Sequence, residues 1–276
     1  SRSIASSNRI DKILSIESKY DIHNHVGGDD NYIIEFDHVS MAYKTSDKNS
    51  LKDINFKVKK GQTVGIIGGT GSGKTTLINV MNHFYDINQG TIYFEGKDIA
   101  SYPLEYLHDQ ISLVPQKAKL FAGTIKENLL WGNKNASDED LIRAIKASQS
   151  EDIIKKKKDG INEIVEQNGN NFSGGQKQRL CIARALVKKA KILILDDSSS
   201  ALDYATDAKL RHALLNFDKS LTTFIISQRT SSLMHCDQIL VLDNGELVGV
   251  GTHEELLKNC EVYQEIHNSQ FSSEVK

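Results

Sequence analysis

The sequence has 276 residues, of which 39% are hydrophobic and 25% charged, and a formal net charge of -2 at pH 7. Such a chain can bury a substantial core, and its charge offers no general attraction to polyanions such as nucleic acids. The cysteines Cys181, Cys236 and Cys260 are far apart and lack a CxxC spacing. This argues against a zinc site or a disulfide framework and favours a reducing compartment.

The first 31 residues have the pattern of a linker. Apolar residues recur at helical spacing within residues 1–20, and residues 23–31 are rich in Gly, Asp and Asn, as exposed linkers are. The sequence begins without Met, so we expect this linker to follow an upstream segment of a longer protein and to lead into a folded domain at residues 32–276. An ordinary N-terminal arm is the alternative.

Three segments early in the domain have the composition and alternation of antiparallel strands. They are Tyr32–Phe36, Ile54–Val58 and Thr91–Phe94, with Lys60–Gly61 as one of the turns. Four other segments are short, mostly apolar and rich in β-branched residues, as strands buried on both faces of a parallel sheet are. They are Thr63–Ile67, Ile192–Leu195, Thr222–Ser227 and Gln238–Leu242. We therefore predict a small antiparallel β-layer beside an α/β core.

Helical periodicity occupies much of the region between the first two buried strands. The periodic segments are Asp138–Ile154 and Gln176–Lys189, and no strong strand pattern occurs between Leu130 and Ala190. The sequence thus predicts an α-helical subdomain, at about residues 118–188, that is inserted into the α/β sheet.

Gly68–Thr75 has the sequence GGTGSGKT and lies between the strand Thr63–Ile67 and an amphipathic helix, as a Walker A phosphate loop requires. Its glycines let backbone N–H groups turn toward phosphates, the helix N-terminus adds positive charge, and Lys74 reaches the terminal phosphates. The Thr75 hydroxyl is expected to bind Mg²⁺, and a Gly-rich turn without a ligand is the alternative. The predicted nucleotide-binding residues here are Gly68, Gly69, Thr70, Gly71, Ser72, Gly73, Lys74, Thr75 and Thr76.

The strand Ile192–Leu195 ends in two acidic residues, Asp196 and Asp197. A carboxylate that leaves a buried strand next to a phosphate loop can hold Mg²⁺ directly or through water, as in the Walker B pattern. Apolar residues before an Asp are common, so this pattern is informative only together with the phosphate loop. We expect Asp196 to be a metal ligand together with Thr75.

The segment Phe172-Ser-Gly-Gly-Gln176 predicts a second anion-binding helix N-terminus, with Ser173 as its cap. The Walker A loop already supplies what the chain's own triphosphate needs. A second such terminus is useful if it faces the γ-phosphate bound by another molecule, which predicts a head-to-tail dimer with ATP between the chains. The expected ATP contacts are Ser173, Gly174, Gly175 and Gln176, and a simple helix cap is the alternative.

Together these motifs resemble the nucleotide-binding domain of ATP-binding cassette (ABC) transporters, and the resemblance covers Tyr32 to Gln270, with FSGGQKQR as a very specific motif. It implies the ABC ATPase fold, in which a P-loop NTPase (RecA-like) core carries the antiparallel β-subdomain and the inserted helical subdomain. It also implies that Tyr43 stacks on adenine. Gln116 in LVPQ is similar to the Q-loop glutamine, which implies that it contacts the nucleotide and binds the Mg²⁺.

Other segments resemble the exporter branch of the family, of the multidrug and lipid type. They are the stretches Phe121–Leu129 and Gly251–Leu256, the D-loop-like Ser200–Asp203, and Glu166 at the X-loop position. The resemblance implies a six-helix membrane domain upstream, whose coupling helices would touch Phe121 and Ile125. It places the ATPase domain at the cytoplasmic face of the cell membrane. The transported substrate is left open among drug, lipid and peptide.

Two catalytic positions depart from the family pattern. The usual glutamate after the Walker B aspartate is Asp197, about one methylene shorter, and the usual switch histidine after the strand Thr222–Ser227 is Gln228. Glutamine can donate a hydrogen bond but cannot carry an imidazolium charge. The predicted catalytic residues are therefore Lys74, Asp197 and Gln228, and we expect nucleotide binding to be intact and hydrolysis to be slow.

Paired departures of this kind resemble the degenerate half of heterodimeric ABC exporters, so the expected partner is a second nucleotide-binding domain that hydrolyses ATP faster. A homodimeric exporter with two slow sites is the alternative. Two other classes remain open: an ABC ATPase that acts on DNA or ribosomes without a membrane domain, and a non-catalytic ATP sensor. The near-neutral charge argues against the DNA or ribosome reading.

Overall fold

The structure, a computed structural model, describes residues 27–44, 48–198 and 200–271, and also residues 7, 10–12, 14 and 15. Residues 7, 10–12 and 14 are helical. The rest of the predicted N-terminal helix, and the linker as far as residue 26, lie outside the described residues. Within the described part of the chain, no helix combines the length and the apolar character that a bilayer crossing needs.

The strands in chain order are β1 (Tyr32–Met41), β2 (Leu51–Lys59), β3 (Thr63–Gly68), β4 (Gln89–Phe94), β5 (Lys97–Asp98), β6 (Ile111–Val114), β7 (Gly123–Thr124), β8 (Ile164–Val165), β9 (Ile192–Asp196), β10 (Thr222–Ile226), β11 (Gln238–Asp243) and β12 (Glu246–Gly251). The helices are α1 (Lys74–Met81), α2 (Leu104–Gln110), α3 (Ile125–Leu130), α4 (Asp138–Ala147), α5 (Glu151–Lys155), α6 (Gly174–Val187), α7 (Tyr204–Leu215), α8 (His253–Asn259) and α9 (Glu261–Phe271).

An antiparallel sheet of four strands, in the order β2-β1-β4-β5, forms the predicted β-layer. Its buried residues alternate with exposed ones, as in β2, where Ile54, Phe56 and Val58 are buried. Phe36 of β1 pairs with Phe56, and their rings stack with centroids 4.6 Å apart. The inner face of this sheet packs in one cluster with α1 and one face of the larger sheet.

The larger sheet has six strands in the order β12-β11-β3-β10-β9-β6, and all but the antiparallel edge strand β12 run parallel. Successive residues of its central strands face opposite layers. Ile192 and Ile194 pack toward the antiparallel sheet and α1, whereas Leu193 and Leu195 pack toward the other helices. Because β3, β10 and β9 are neighbours, the loops that follow them meet at one edge of the sheet.

The structure corrects the predicted elements in two respects. The short run of β6 and the glycine-containing β12 were not predicted, yet they form the two edges of the sheet. The periodic segment Asp138–Ile154 is two helices rather than one, α4 and α5. The helix breaks because Gln149 has a left-handed φ of 58° between Ser148 and Ser150, whose buried hydroxyl groups are 2.8 Å apart.

Candidate nucleotide site

The phosphate loop connects β3 to α1, and its glycines fit its path. A Cβ atom on Gly68 would lie 2.2 Å from the carbonyl oxygen of Leu242. At Gly73, which precedes α1, a Cβ atom would lie 2.9 Å from the carbonyl oxygen of Ser50, and φ is 106°. A side chain at either position would clash or strain the backbone, so these two glycines hold the loop against the neighbouring segments.

Other glycines of the loop leave space rather than fill it. A Cβ atom on Gly69 or Gly71 would meet nothing within 4 Å. The loop opens on a cavity of about 330 Å³ lined by Ser50, Gly71, Gly73, Lys74, Thr75, Thr76 and Gly245, among others. α1 begins without a side-chain cap, so its first N–H groups are available to an acceptor from outside the chain. This combination suits an anionic ligand.

The Lys74 side chain lies inside the loop. Its Nζ donates to the carbonyl oxygens of Gly68 at 2.8 Å and Gly69 at 2.7 Å, and is 3.3 Å from the Ser72 hydroxyl. Burial lowers the pKa of Lys74, and the charges of Asp196 and Asp197 partly offset that shift. The ammonium group is thus held where phosphate oxygens would meet it. The two carboxylates act on it from the end of β9, which is separated from β3 in the sheet by β10.

Asp196 ends β9 and is half-buried. Burial raises its pKa, Asp197 adds to the increase by repulsion, and Lys74 works against it. A carboxylate whose charge is disfavoured by its surroundings is stabilised by a nearby cation. The donor set also fits Mg²⁺, because carboxylate and hydroxyl oxygens are the ligands it prefers, and the Thr75 hydroxyl at the start of α1 is exposed.

Asp197 has a positive φ of 44°, and its N–H donates to the carbonyl oxygen of Ile226 at 3.0 Å. This bond ties it to the end of the neighbouring strand β10. Its carboxylate oxygen Oδ2 accepts a hydrogen bond from Gln116 Nε2 at 3.0 Å. Gln116 follows β6, so the structure brings the predicted Q-loop glutamine to Asp197 rather than to Asp196. Ser200 donates from its hydroxyl to the Asp197 carbonyl oxygen at 2.8 Å.

Tyr43 lies beside α1, where its hydroxyl group donates to Thr76 Oγ1 at 3.2 Å. Asn79 Nδ2 is 3.4 Å from the same hydroxyl, and the ring of Tyr85 meets that of Tyr43 edge to face, with centroids 5.0 Å apart. Three contacts therefore fix an aromatic ring near the helix that carries the phosphate loop.

The segment Ser173–Gln176 forms the start of α6 with a complete capping box. Ser173 Oγ accepts from the Gln176 N–H at 3.3 Å, and Gln176 Oε1 accepts from the Ser173 N–H at 3.0 Å. A Cβ atom on Gly175 would lie 2.9 Å from the carbonyl oxygen of Ala201, whereas one on Gly174 would meet nothing within 4 Å. The segment thus packs against the loop 200–203 and leaves Gly174 open to the outside.

Comparison with known proteins identifies the architecture. A family model described as ABC transporter matches residues 51–200, which is more than half of the chain. The chain belongs to the ABC transporter family. It is also similar to a solved structure of a bacterial Atm1-family ABC exporter with ATP bound, with a TM-score of 0.88, 30% sequence identity, and coverage of 100% of this chain and 48% of that one.

Relatives of this ABC domain include two bacterial proteins. An uncharacterized ABC transporter ATP-binding protein of Bacillus subtilis (strain 168) is 43% identical over 273 residues, 99% of this chain and 47% of that protein. A putative multidrug export ATP-binding/permease protein of Staphylococcus aureus (strain Mu50 / ATCC 700699) is 40% identical over 259 residues, 92% of this chain and 45% of that protein. The chain spans about half the length of the curated relatives it matches.

Gln228, at the predicted switch position, follows β10. In the sheet of this ABC domain, β10 lies between β3, which leads to the phosphate loop, and β9, which leads to Asp197. Gln228 is exposed, and its carbonyl oxygen accepts from Gln270 Nε2 at 2.7 Å. Gln270 and its neighbour His267 were not predicted as site residues. They are about 40 residues further along the chain, and no short motif connects them to the switch segment.

The two residues predicted to contact a membrane domain differ in their exposure. Phe121 is 48% exposed, and its ring lies 5.1 Å from that of Trp131, which is 67% exposed. Ile125, in contrast, is 1% exposed and belongs to the core of the helical region. The expectation that Ile125 touches a coupling helix is therefore wrong, because it faces inward at the first turn of α3. Glu166 is exposed, with its N–H bonded to Asn171 Oδ1 at 3.1 Å.

Cavity volume alone would favour a different candidate site. A larger cavity, of about 600 Å³, lies between α7 and residues 231–236 and is lined mainly by apolar surface, including Leu215, Ile225 and Met234. It lacks the glycine N–H groups and the paired carboxylates of the smaller site. The chemistry of the donors, rather than volume, therefore identifies the phosphate loop as the candidate site.

Proposed function

We propose that this ABC domain binds MgATP, hydrolyses it slowly, and drives a membrane exporter. The open phosphate loop at the uncapped start of α1 is the observation that carries the proposal. The names of the relatives include the words export and permease, which supports the hypothesis that the domain is part of an exporter. In such a protein the domain would lie at the cytoplasmic face of the membrane, and the substrate would be chosen by membrane-spanning segments outside this chain.

The nucleotide would be held by groups that the structure brings together. The N–H groups of the phosphate loop and Lys74 would face the phosphates, and Tyr43 would stack on the adenine. Thr75 and Asp196 would hold Mg²⁺, with Gln116 close by through its bond to Asp197. When bound, the metal supplies charge neutralisation for the transferred phosphoryl group. Lys74 orients that group and offsets its charge.

We infer a head-to-tail dimer from the segment Ser173–Gln176, the signature segment. Gly174 is exposed, and the open space around it permits close approach by a second molecule, while the chain's own fold does not fill that space. The start of α6 carries the positive end of a helix dipole. We infer that it meets the γ-phosphate in the site of a partner domain, and that the partner's signature segment meets the ATP bound here.

Slow hydrolysis is inferred from Asp197 and Gln228. A general base must reach the attacking water within hydrogen-bond distance, and small misplacements reduce the rate strongly. Asp197 is one methylene shorter than the family's glutamate, and its carboxylate is bonded to Gln116 at 3.0 Å. Gln228 can contact a phosphate but cannot supply positive charge. The site would then hold ATP longer than it hydrolyses it, and a partner with Glu and His would provide the faster site.

Steady-state ATPase assays test this division of labour. We compare this chain, a partner domain that has Glu and His at the two positions, and their mixture. Strong activity only in the mixture is the expected result. If this chain alone hydrolyses ATP as fast as the mixture, the degenerate-site proposal is wrong. Equal slow rates in all three samples would favour a homodimer with two slow sites.

A further inference from the structure

The backbone around Gln228 is held by a side chain from the last turn of α9. Gln270 Nε2 donates to the Gln228 carbonyl oxygen at 2.7 Å. Gln270 Oε1 accepts from the Thr230 N–H at 3.0 Å and from the Thr230 hydroxyl at 3.2 Å. One amide group therefore binds the switch segment, residues 227–230, on both sides of Arg229.

The chemistry of this contact is specific to a primary amide. The side chain must donate to one residue and accept from another, and among uncharged side chains of this length only glutamine does both through separate atoms. Thr230 is fully buried, with 0% relative exposure, so its polar groups need partners. Glutamate at position 270 would keep the bonds from Thr230 but would place a negatively charged oxygen against the carbonyl oxygen of Gln228.

α9 is anchored independently of this contact. Tyr263 has 0% relative exposure, and its hydroxyl is 2.7 Å from His253 Nδ1. His267 Nδ1 is 3.0 Å from the Thr230 hydroxyl. Tyr263, His267 and Gln270 are spaced i, i+4 and i+7, so they share one face of the helix. The buried first turns fix the helix, and its last turn presents two polar side chains to the switch segment.

Within the part of the chain that the structure describes, two backbone N–H groups next to Gln228 are also bonded. The Ser227 N–H donates to the Ile66 carbonyl oxygen at 3.2 Å, which is the last bond to the sheet on this side, and the Arg229 N–H donates to Ser227 Oγ at 3.0 Å. Gln228 itself lies just beyond the sheet, between the phosphate loop and Asp197, with an exposed side chain. The bond from Gln270 therefore constrains the direction of the Gln228 carbonyl group.

We propose that Gln270 is a positioning residue for the switch: it orients Gln228 toward the terminal phosphate and so controls the preference of the site for ATP over ADP. The proposal rests on the proposed MgATP-binding function. In this proposal Gln270 acts through its contacts with Gln228 and Thr230 rather than through the nucleotide. Binding of ADP, which depends on the phosphate loop and the base, should not require it.

The test compares the dissociation constants for MgATP and MgADP in the full protein and in Gln270→Glu and Gln270→Ala. Gln264→Ala is the matched control, because Gln264 is on the same helix and its Nε2 donates to the Leu257 carbonyl oxygen at 2.8 Å. In both Gln270 variants we expect the preference for ATP to fall roughly three- to tenfold, the effect of about one hydrogen bond, with ADP binding unchanged. The control should match the parent protein.

The outcomes separate this inference from the function on which it rests. If the parent protein binds neither nucleotide, the proposed function is wrong. If the parent binds both and the Gln270 variants keep the same ATP preference, or lose ATP and ADP affinity equally, Gln270 is structural and the inference is overturned. As a further check, Gln270→Glu should have no added effect on ATP preference in a Gln228→Ala background, because the side chain that Gln270 is proposed to orient is then already absent.

Discussion

The starts of α1 and α6 look alike in sequence and differ in how the structure completes them. Glycines precede the first residue of α1 and occupy the first two positions of α6, and both helices point N–H groups and a positive helix end outward. α1 starts at Gly73 without a side-chain cap. α6 starts at a full capping box made by Ser173 and Gln176. One helix start lacks an internal acceptor, whereas the other is completed by its own side chains.

This difference suits two different roles. Uncapped N–H groups need an acceptor, and the phosphate loop that surrounds them belongs to the chain's own candidate site. A capped helix is stable without a ligand, and the remaining free position, Gly174, can be presented to another molecule. The same helix-end electrostatics would thus bind the chain's own nucleotide at α1 and, as proposed, a partner's nucleotide at α6.

The largest expected effect comes from restoring the family's glutamate and histidine at the candidate nucleotide site beside the start of α1, the α1 site. Asp197→Glu combined with Gln228→His should raise ATP turnover by roughly 10²-fold or more, because a positioned base and its partner are worth about 10²–10⁴. The measurement is steady-state phosphate release, with each single variant as a control. Both changes leave the capped start of α6 intact, so two copies can still complete each other's sites. No gain in the double variant would mean that these positions do not limit the rate.

Removing the cation of the α1 site should have the next largest effect. Lys74→Ala should weaken MgATP binding by roughly 10- to 100-fold, because it deletes a charge-assisted contact to phosphate. Lys52→Ala is the control, since Lys52 forms an ion pair with Glu246 near the same cavity, with 43% of its side chain exposed. Equilibrium binding of a fluorescent ATP analogue measures both variants. Equal affinities would show that the ligand does not bind at the loop.

Two glycine substitutions separate the helix starts directly. Gly69→Ala and Gly174→Ala both place a methyl group in open space, so both variants should fold normally. Gly69→Ala should weaken MgATP binding by the chain roughly tenfold, since the methyl group meets the approaching phosphates. Gly174→Ala should leave that affinity unchanged and lower only the turnover of the assembled dimer. Equal loss of affinity in both variants would contradict the separation of roles.

The smallest expected effect concerns stability without ligand. The folded protein raises the pKa of Asp196 through burial and through Asp197, so the ionised carboxylate opposes folding at neutral pH. This penalty is present above the raised pKa and disappears as the pH falls through it. Asp196→Asn should therefore raise the melting temperature at neutral and higher pH, and the difference should shrink as the pH falls through the raised pKa of Asp196. The same variant should lose Mg²⁺-dependent nucleotide binding; lower stability at neutral pH would contradict the account.

Local patterns predicted much of the fold. The buried strands were predicted by their runs of β-branched residues, and the start of α6 was predicted by the Ser173 cap; both are confirmed. The phosphate loop could be predicted from the sequence because the residues expected to bind phosphate are adjacent along the chain. The capping glutamine, Gln176, lies three positions from Ser173, which is within the reach of a local motif.

Features that depend on contacts distant in sequence were missed. β6 is a four-residue edge strand, and β12 contains two glycines, so neither has a strong strand pattern of its own. The break between α4 and α5 depends on the buried pair Ser148 and Ser150. Gln270 reaches Thr230 across 40 residues, and only the packing of α9 against the core brings them together. Tertiary packing decides each of these features, and short windows of sequence do not contain it.

The central claim, that the α1 site holds ATP longer than it hydrolyses it, can be tested in a single-turnover experiment. Protein in excess is mixed with labelled MgATP, and the bound nucleotide is identified over time. The account predicts that the unaltered chain retains ATP while the Asp197→Glu, Gln228→His variant converts it to ADP. Conversion to ADP by the unaltered chain at the rate of the variant would contradict it.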